Sequence, residues 1–121
     1  MRLVAKFFAV CLTLLVACVV LAQDPAPEPS IKEVMARAHK PPANLLRKVA
    51  QGDASAEETK QLLDLYQALA RNKPPRGDAQ AWADRTSLLV AATQAAVDGK
   101  PEAAQELKKV SNCMACHSEH K

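Results

Sequence analysis

The chain has 121 residues and a formal net charge of +3, with 16 lysine and arginine residues against 13 aspartate and glutamate residues. A chain of this length forms one domain at most. Two of the basic residues, Arg2 and Lys6, lie at the extreme N-terminus. The rest of the chain therefore has no large excess of positive charge, and we expect no nucleic-acid partner.

The first 22 residues predict a secretory signal peptide. Arg2 and Lys6 precede an uncharged apolar run from Phe7 to Ala22, and a polar, proline-rich segment follows. The run is shorter than most membrane-spanning helices, which favours an export signal over an anchor. We therefore interpret residues 1–22 as a signal peptide and expect the mature protein in the periplasm.

Two cleavage sites compete at the end of this signal. Residues 20–22 (VLA) end in the small residue that signal peptidase prefers, which gives a mature start at Gln23. Residues 15–18 (LVAC) instead resemble a bacterial lipobox, in which Cys18 is acylated. We favour Gln23, because cysteine is also accepted as a small apolar residue within a signal. A membrane-anchored lipoprotein is the alternative, and we expect membrane contact only if Cys18 is lipidated.

Beyond the signal, residues 23–29 form a proline-rich linker, and residues 30–121 form the domain. Proline-rich polar segments resist both helix and sheet. In the domain, apolar residues recur with helical spacing in four stretches, and no stretch alternates with the period of a strand. The prediction is an all-α fold, a four-helix bundle with short loops.

The first predicted helix begins at Ser30, which forms a capping box with Glu33. Pro41 and Pro42 follow, and prolines inside a helical pattern break or kink it. The apolar stripe resumes beyond them and ends near Gly52, a plausible C-terminal cap.

The second predicted helix begins with a capping box formed by Ser55 and Glu58. Asp78 is a good N-cap for the third helix, which Gly99 closes. A single fourth helix is predicted over residues 101–117.

That fourth helix ends in the sequence Cys-Met-Ala-Cys-His at residues 113–117. The pattern C-x-x-C-H is the attachment sequence for c-type haem, in which two thiols form thioethers with the haem vinyl groups and the histidine binds the iron. On a helix, Cys113 and Cys116 share a face and His117 completes the same turn. The sequence therefore predicts haem c attached to Cys113 and Cys116, with His117 as the proximal iron ligand.

Two other interpretations of these residues compete with haem. The cysteine pair could form a dithiol redox site. Alternatively, the chain could be a structural domain that binds zinc through Cys113, Cys116, His117 and His120. The pair does not follow a strand, and the four candidate zinc ligands are crowded into eight residues with no second ligand pair elsewhere. An exported chain also suits haem, because c-type haem is attached outside the cytoplasm in the known families of c-type cytochromes.

With four helices and this motif on the last of them, residues 30–121 resemble the cytochrome c prime family, including its low-spin, methionine-ligated relatives. The resemblance implies that His117 is the proximal ligand and that a residue of the first helix occupies the distal face. Low-spin members place methionine there, whereas high-spin members place an apolar residue and leave the iron open to small gases. Because the family often dimerises, a homodimer is also an expectation.

Met35 is the candidate for the distal ligand. It falls on the apolar stripe of the first helix with Val34 and Ala38, whereas His39 lies at the edge of that stripe. His39, one turn later, is the alternative distal ligand. The competing interpretation of Met35 is a core residue that fills a gap.

These observations predict a periplasmic electron carrier that exchanges single electrons with redox protein partners. We expect no enzymatic activity, because the sequence has no catalytic constellation beyond the haem. The alternative function is a five-coordinate haem module that binds or senses nitric oxide or carbon monoxide.

Trp82 is expected in the core, His120 is expected to be exposed, and Met114 is expected to pack against the haem edge or the core. Tyr66 and Trp82 are the only aromatic residues after the signal, so we expect the haem-free chain to fold poorly.

Overall fold

The computed structural model describes residues 28–121. The predicted signal peptide, its cleavage sites and Cys18 lie outside the described residues, as does most of the linker. The regular structure of residues 28–121 is helical and contains no strand, so the all-α prediction is confirmed. None of the helices in this range is both long and apolar enough to span a membrane.

In chain order the helices are α1 (Ile31–His39), α2 (Leu45–Gln51), α3 (Ala56–Arg71), α4 (Ala79–Val97), α5 (Ala103–Val110) and α6 (Cys113–His120). The predicted second and third helices correspond to α3 and α4. The predicted first helix is divided into α1 and α2, and the predicted fourth helix is divided into α5 and α6.

The division between α1 and α2 lies where the prolines predict it. A turn over residues 40–44 contains Pro41 and Pro42. Asn44 then adopts a left-handed conformation (φ 37°), and its side chain accepts a hydrogen bond from the backbone N–H of Arg47. Gly52 ends α2 with φ 79°, which confirms the predicted cap.

Three of the predicted helix starts are also confirmed. Ser30 with Glu33 and Ser55 with Glu58 both form complete capping boxes. The side chain of Asp78 accepts from the third residue of α4.

The prediction of one continuous helix over residues 101–117 was wrong. Helix α5 ends at Val110, and Ser111 leaves the helical region with φ −89° and ψ 41°. Asn112 is extended, and its side-chain oxygen accepts from the backbone N–H groups of Met114 and Ala115 at 3.1 and 3.2 Å. Asparagine favours such capping over the helix interior, because its side chain competes for backbone hydrogen bonds. The break gives the C-x-x-C-H motif a short helix of its own.

The core is centred on α3, which packs against α1, α2 and α4, while α5 packs against α4 and α2. Its largest fully buried apolar side chains are Tyr66, Leu62, Leu69, Leu107 and Val34. Trp82 is 5% exposed, so its predicted core position is confirmed. Helix α6 is the least embedded element and packs mainly against α4.

Candidate haem-attachment site

Helix α6 presents the motif side chains at the molecular surface. Cys113 is exposed, Cys116 is half-buried and packs against the core, and neither forms a disulfide. His117 follows in the next position of the same helix. The two thiols lie one helical turn apart, as their spacing predicts.

A cavity of about 250 Å³ lies against this helix. We call it the motif cavity. It brings together all of the site residues predicted from the sequence, namely Met35, His39, Cys113, Cys116 and His117. Its apolar walls include Leu69 of α3, Leu89 of α4 and Val110 of α5. Residues more than 70 positions apart in the sequence therefore line one space.

A second cavity of about 620 Å³ adjoins the first. We call it the lysine cavity. It shares four lining residues with the motif cavity, namely Met35, Lys40, Cys116 and His117. Its other walls include Trp82 and His120. The thiol of Cys116 and the imidazole of His117 are thus placed between two adjoining spaces.

Met35 is half-buried on α1 and packs against the core beside the fully buried Val34 and Ala38. Its side chain lines both cavities together with His117. A thioether in this position suits either an iron ligand or a packing residue. The structure thus brings the candidate distal residue to the same cavities as the candidate proximal residue.

His39 is held by a hydrogen bond that the sequence did not indicate. Its Nε2 atom lies 2.9 Å from the hydroxyl group of Tyr66, which is 27 residues away and fully buried. Burial lowers the pKa of His39 below its ordinary value of 6.5, and the charge of His117 lowers it further. Burial also raises the pKa of Tyr66. The Tyr66 hydroxyl therefore engages one ring nitrogen of the alternative distal ligand.

The electrostatics of Cys116 do not favour the dithiol interpretation. Burial raises the pKa of this thiol above its ordinary value of 9.0, although the nearby Arg85 acts in the opposite direction. Dithiol redox sites need a thiolate, which a lowered pKa supplies. The environment of Cys116 instead keeps its proton.

The zinc interpretation also lacks a matching arrangement. Within residues 28–121, no three histidine, cysteine, aspartate or glutamate side chains are grouped so that they could hold a metal ion. His120, one of the four candidate ligands, donates from Nδ1 to the backbone carbonyl oxygen of Arg76 at 3.1 Å, so only its Nε2 atom would be available to a metal.

The expectation that His120 is exposed was wrong, since this residue is 3% exposed. Its ring meets Trp82 edge-to-face, with ring centroids 5.2 Å apart. It also packs against Gly77, where a Cβ atom would lie 2.5 Å from Nδ1 of His120. A glycine 43 positions earlier thus makes room for the last turn of α6, which no local pattern reveals. Arg85 reinforces this docking through an ion pair with Glu119 at 3.3 Å.

Met114, in contrast, is 71% exposed and does not pack against the protein core. This part of its predicted role was wrong, because the second residue of the motif lies on the outer face of α6. Its packing against a haem edge stays a prediction.

The residues around the motif cavity fit a covalently held haem. Two thiols lie one turn apart, an imidazole follows directly, and a thioether lies on a different helix. The walls between them are largely apolar, as a macrocycle requires.

Comparison of the chain with protein-family models, with curated proteins and with solved structures finds no match.

Proposed function

We propose that the protein is an exported c-type cytochrome of the cytochrome c prime type, which carries single electrons between redox protein partners in the periplasm. In this proposal helices α1 to α6 form a four-helix bundle. Helices α1 and α2 together make up its first helix, α3 is the second, α4 is the third, and α5 and α6 together make up the fourth. The observation that carries the proposal is the convergence of Met35 with Cys113, Cys116 and His117 on one apolar cavity. Haem c supplies, when bound, an iron that cycles between the ferrous and ferric states.

Each residue of the site has a distinct task in this proposal. Cys113 and Cys116 hold the cofactor through thioether bonds, and the short helix α6 fixes His117 beside the second bond. Leu69, Leu89 and Val110 exclude water from the motif cavity. Exclusion of water strengthens the influence of the axial ligands on the redox potential.

Met35 is the distal ligand in this proposal. The Tyr66 hydroxyl supports this choice, because it engages Nε2 of the competing His39. Binding of His39 to iron through that nitrogen would break the hydrogen bond and leave the buried hydroxyl of Tyr66 without its partner. A methionine ligand raises the potential relative to a second histidine, which suits an electron carrier.

Covalent haem attachment is tested by mass spectrometry of denatured protein, produced with its export signal in a host that matures c-type cytochromes. We expect the wild-type mature chain to retain one haem after denaturation. Cys113→Ala and Cys116→Ala should each weaken or abolish this retention. Met114→Ala is the matched control, because Met114 lies between the two cysteines but is exposed. A wild-type chain that carries no haem, or that carries stoichiometric zinc instead, would refute the proposal.

A further inference from the structure

The lysine cavity has a strongly one-sided charge. The charged side chains that line it are those of Lys32, Lys40, Lys73 and Lys121, and no aspartate or glutamate lines it; Lys121 also carries the terminal carboxylate, which offsets its own ammonium group. None of these lysines forms an ion pair with another residue in the range 28–121. The ammonium groups of Lys32, Lys40 and Lys73 around one concave space create a positive potential that attracts anions.

The wall of this cavity also contains a buried hydrogen-bond donor without an acceptor. Trp82 lines the cavity and is 5% exposed, and its Nε1 atom is buried with no hydrogen-bond partner within residues 28–121. An indole N–H group can only donate. Leaving such a donor unsatisfied costs free energy, so an orphaned buried donor indicates a missing acceptor.

The neighbouring His120 has an orphaned nitrogen as well, but of a different kind. Its Nδ1 atom must carry a proton, because the carbonyl oxygen of Arg76 can only accept. In the neutral ring, Nε2 is then an acceptor, and this atom is also buried without a hydrogen bond. Trp82 therefore contributes the unpaired donor among the residues of this wall, whereas Nε2 of His120 has the Glu119 carboxylate 3.7 Å away.

The lysine cavity adjoins the proposed haem site, because Cys116, His117 and Met35 border both cavities. A group tethered to Cys116 would therefore lie beside the cavity that the lysines line. Haem carries two propionate side chains, which are carboxylates, and carboxylate oxygens accept hydrogen bonds from N–H donors.

We propose that the lysine cavity is a carboxylate-binding site in which Trp82 donates its indole N–H group and the surrounding lysines supply the positive charge. The inference rests on the proposed function: the carboxylates that it binds are the haem propionates. A free small carboxylate has the same chemistry and is the other source of such a ligand. The site orients the cofactor, since it holds the propionate edge at the α1 and α4 side of α6.

The chain offers a clean probe of this contact, because Trp82 is its only tryptophan. In protein labelled with ¹⁵N, the indole N–H group gives one signal. We would record it in the haem-loaded ferrous protein saturated with carbon monoxide, which is diamagnetic whichever distal ligand the iron has. We expect slow exchange of the indole proton with solvent and a nuclear Overhauser contact between this proton and propionate methylene protons.

Two substitutions test the donor and the charge separately. Trp82→Phe keeps an aromatic ring but removes the N–H group, and we expect the propionate pKa to rise. Lys73→Gln removes one charge from the cavity without touching the core, and we expect an upward shift here too. Lys60→Gln is the matched control. Lys60 is an exposed lysine of α3 that pairs with Asp64 and does not line the cavity. It should leave the propionate titration unchanged.

A rapidly exchanging indole proton with no propionate contact, together with equal titrations in the Lys73 and Lys60 variants, would overturn the inference. Sodium acetate separates the two sources of carboxylate. If acetate shifts the indole signal of the haem-loaded protein and no propionate contact exists, the propionate assignment is wrong. Failure of the proposed function is distinct, because it appears as a chain without covalent haem. In that case the acetate titration of the wild-type chain still decides whether the cavity binds carboxylates.

Discussion

At the scale of single residues, the side chains of Met35 and His39 would determine the coordination of the proposed haem iron. Both line the motif cavity from α1, but they differ in their existing partners. Nε2 of His39 is engaged by the hydroxyl of Tyr66 at 2.9 Å, and burial disfavours its charged form. The Met35 thioether is only a weak hydrogen-bond acceptor, so it loses no strong hydrogen bond when it binds a metal.

Replacement of Met35 by alanine tests its role as the distal ligand. We expect Met35→Ala to convert the ferrous protein from a low-spin to a high-spin form that binds carbon monoxide readily, as measured by visible absorption. Met114→Ala removes an exposed methionine and should leave the spectrum unchanged. If Met35→Ala stays low-spin and Met35→Ala/His39→Ala becomes high-spin, His39 is able to replace Met35 on the iron. A low-spin form in both variants would contradict a ligand role for either residue.

Glu58 gives a pH dependence whose sign follows from its partners. Glu58 accepts a hydrogen bond from the side chain of Lys48 and another from the backbone N–H of Ser55. These bonds, the first with the larger effect, hold the pKa of Glu58 below its ordinary value of 4.5. A carboxyl group with a lowered pKa stabilises the folded state above the unfolded pKa, and this contribution is lost as the pH falls through the folded pKa. We expect the melting temperature to fall on acidification below pH 4.5, and less steeply in Glu58→Gln.

The control for this measurement is Glu57→Gln, which alters a carboxylate in the same first turn of α3 that makes neither of these hydrogen bonds. Identical pH dependence in Glu57→Gln and Glu58→Gln would contradict the assignment.

At the scale of elements, the docking of α6 onto the rest of the domain decides whether the motif is held in place. Helix α6 has eight residues, and its last turn provides its firmest contacts. His120 fits between Trp82 and the backbone at Arg76 and Gly77, while Glu119 pairs with Arg85. Isolated helices of this length are not stable in water, so these contacts are needed for the helix to persist.

Gly77→Ala should loosen this docking. The new Cβ atom would lie 2.5 Å from His120 and 2.7 Å from the carbonyl oxygen of Glu119, at a residue with φ +90°. Left-handed strain and overpacking together predict a loss of roughly 3 kcal/mol in the free energy of unfolding. Chemical denaturation of the haem-loaded protein measures it.

Gly99→Ala is the matched control for this variant, because Gly99 has φ +72° but nothing within 4 Å of the added atom. It should cost only the strain of the backbone, about 1–2 kcal/mol. Equal losses in the two variants would mean that the contact of Gly77 with His120 does not hold α6.

Local patterns predicted many of these elements correctly. The capping boxes at Ser30 and Ser55, the N-cap at Asp78 and the end of α2 at Gly52 depend on residues within one turn of each other. The break at Asn112 was missed, because the apolar spacing continues across it and only the competing side-chain hydrogen bonds reveal the new start.

At the scale of the whole molecule, the residues of the candidate site were predicted from the sequence, but their surroundings were not. Cys113, Cys116 and His117 are adjacent, so their spacing alone indicated their chemistry. The contact between His39 and Tyr66 spans 27 residues, and that between His120 and Arg76 spans 44. Such contacts depend on how helices pack, and a single sequence contains no signal for them. For the same reason, the lysine cavity emerged only from the fold.

The cavities also imply that the fold depends on what fills them. Spaces of about 250 and 620 Å³ adjoin a domain whose aromatic residues within 28–121 are Tyr66 and Trp82. In a variant that cannot attach a cofactor, the apolar walls of these cavities would stay in contact with water, which disfavours the folded state. We expect the haem-free Cys113→Ala/Cys116→Ala chain to show less helical circular dichroism and a broader thermal transition than the loaded wild type. Near-native helicity with a sharp melt would contradict this.

We propose that the protein carries electrons through a six-coordinate haem held by Cys113 and Cys116. The visible spectrum of the matured protein tests this proposal, in the ferric state, in the ferrous state and in the ferrous state with carbon monoxide. We expect a low-spin ferrous spectrum that carbon monoxide barely changes. A high-spin spectrum that carbon monoxide shifts at once would contradict it and indicate a gas-binding module, and the absence of haem absorbance would contradict the attachment itself.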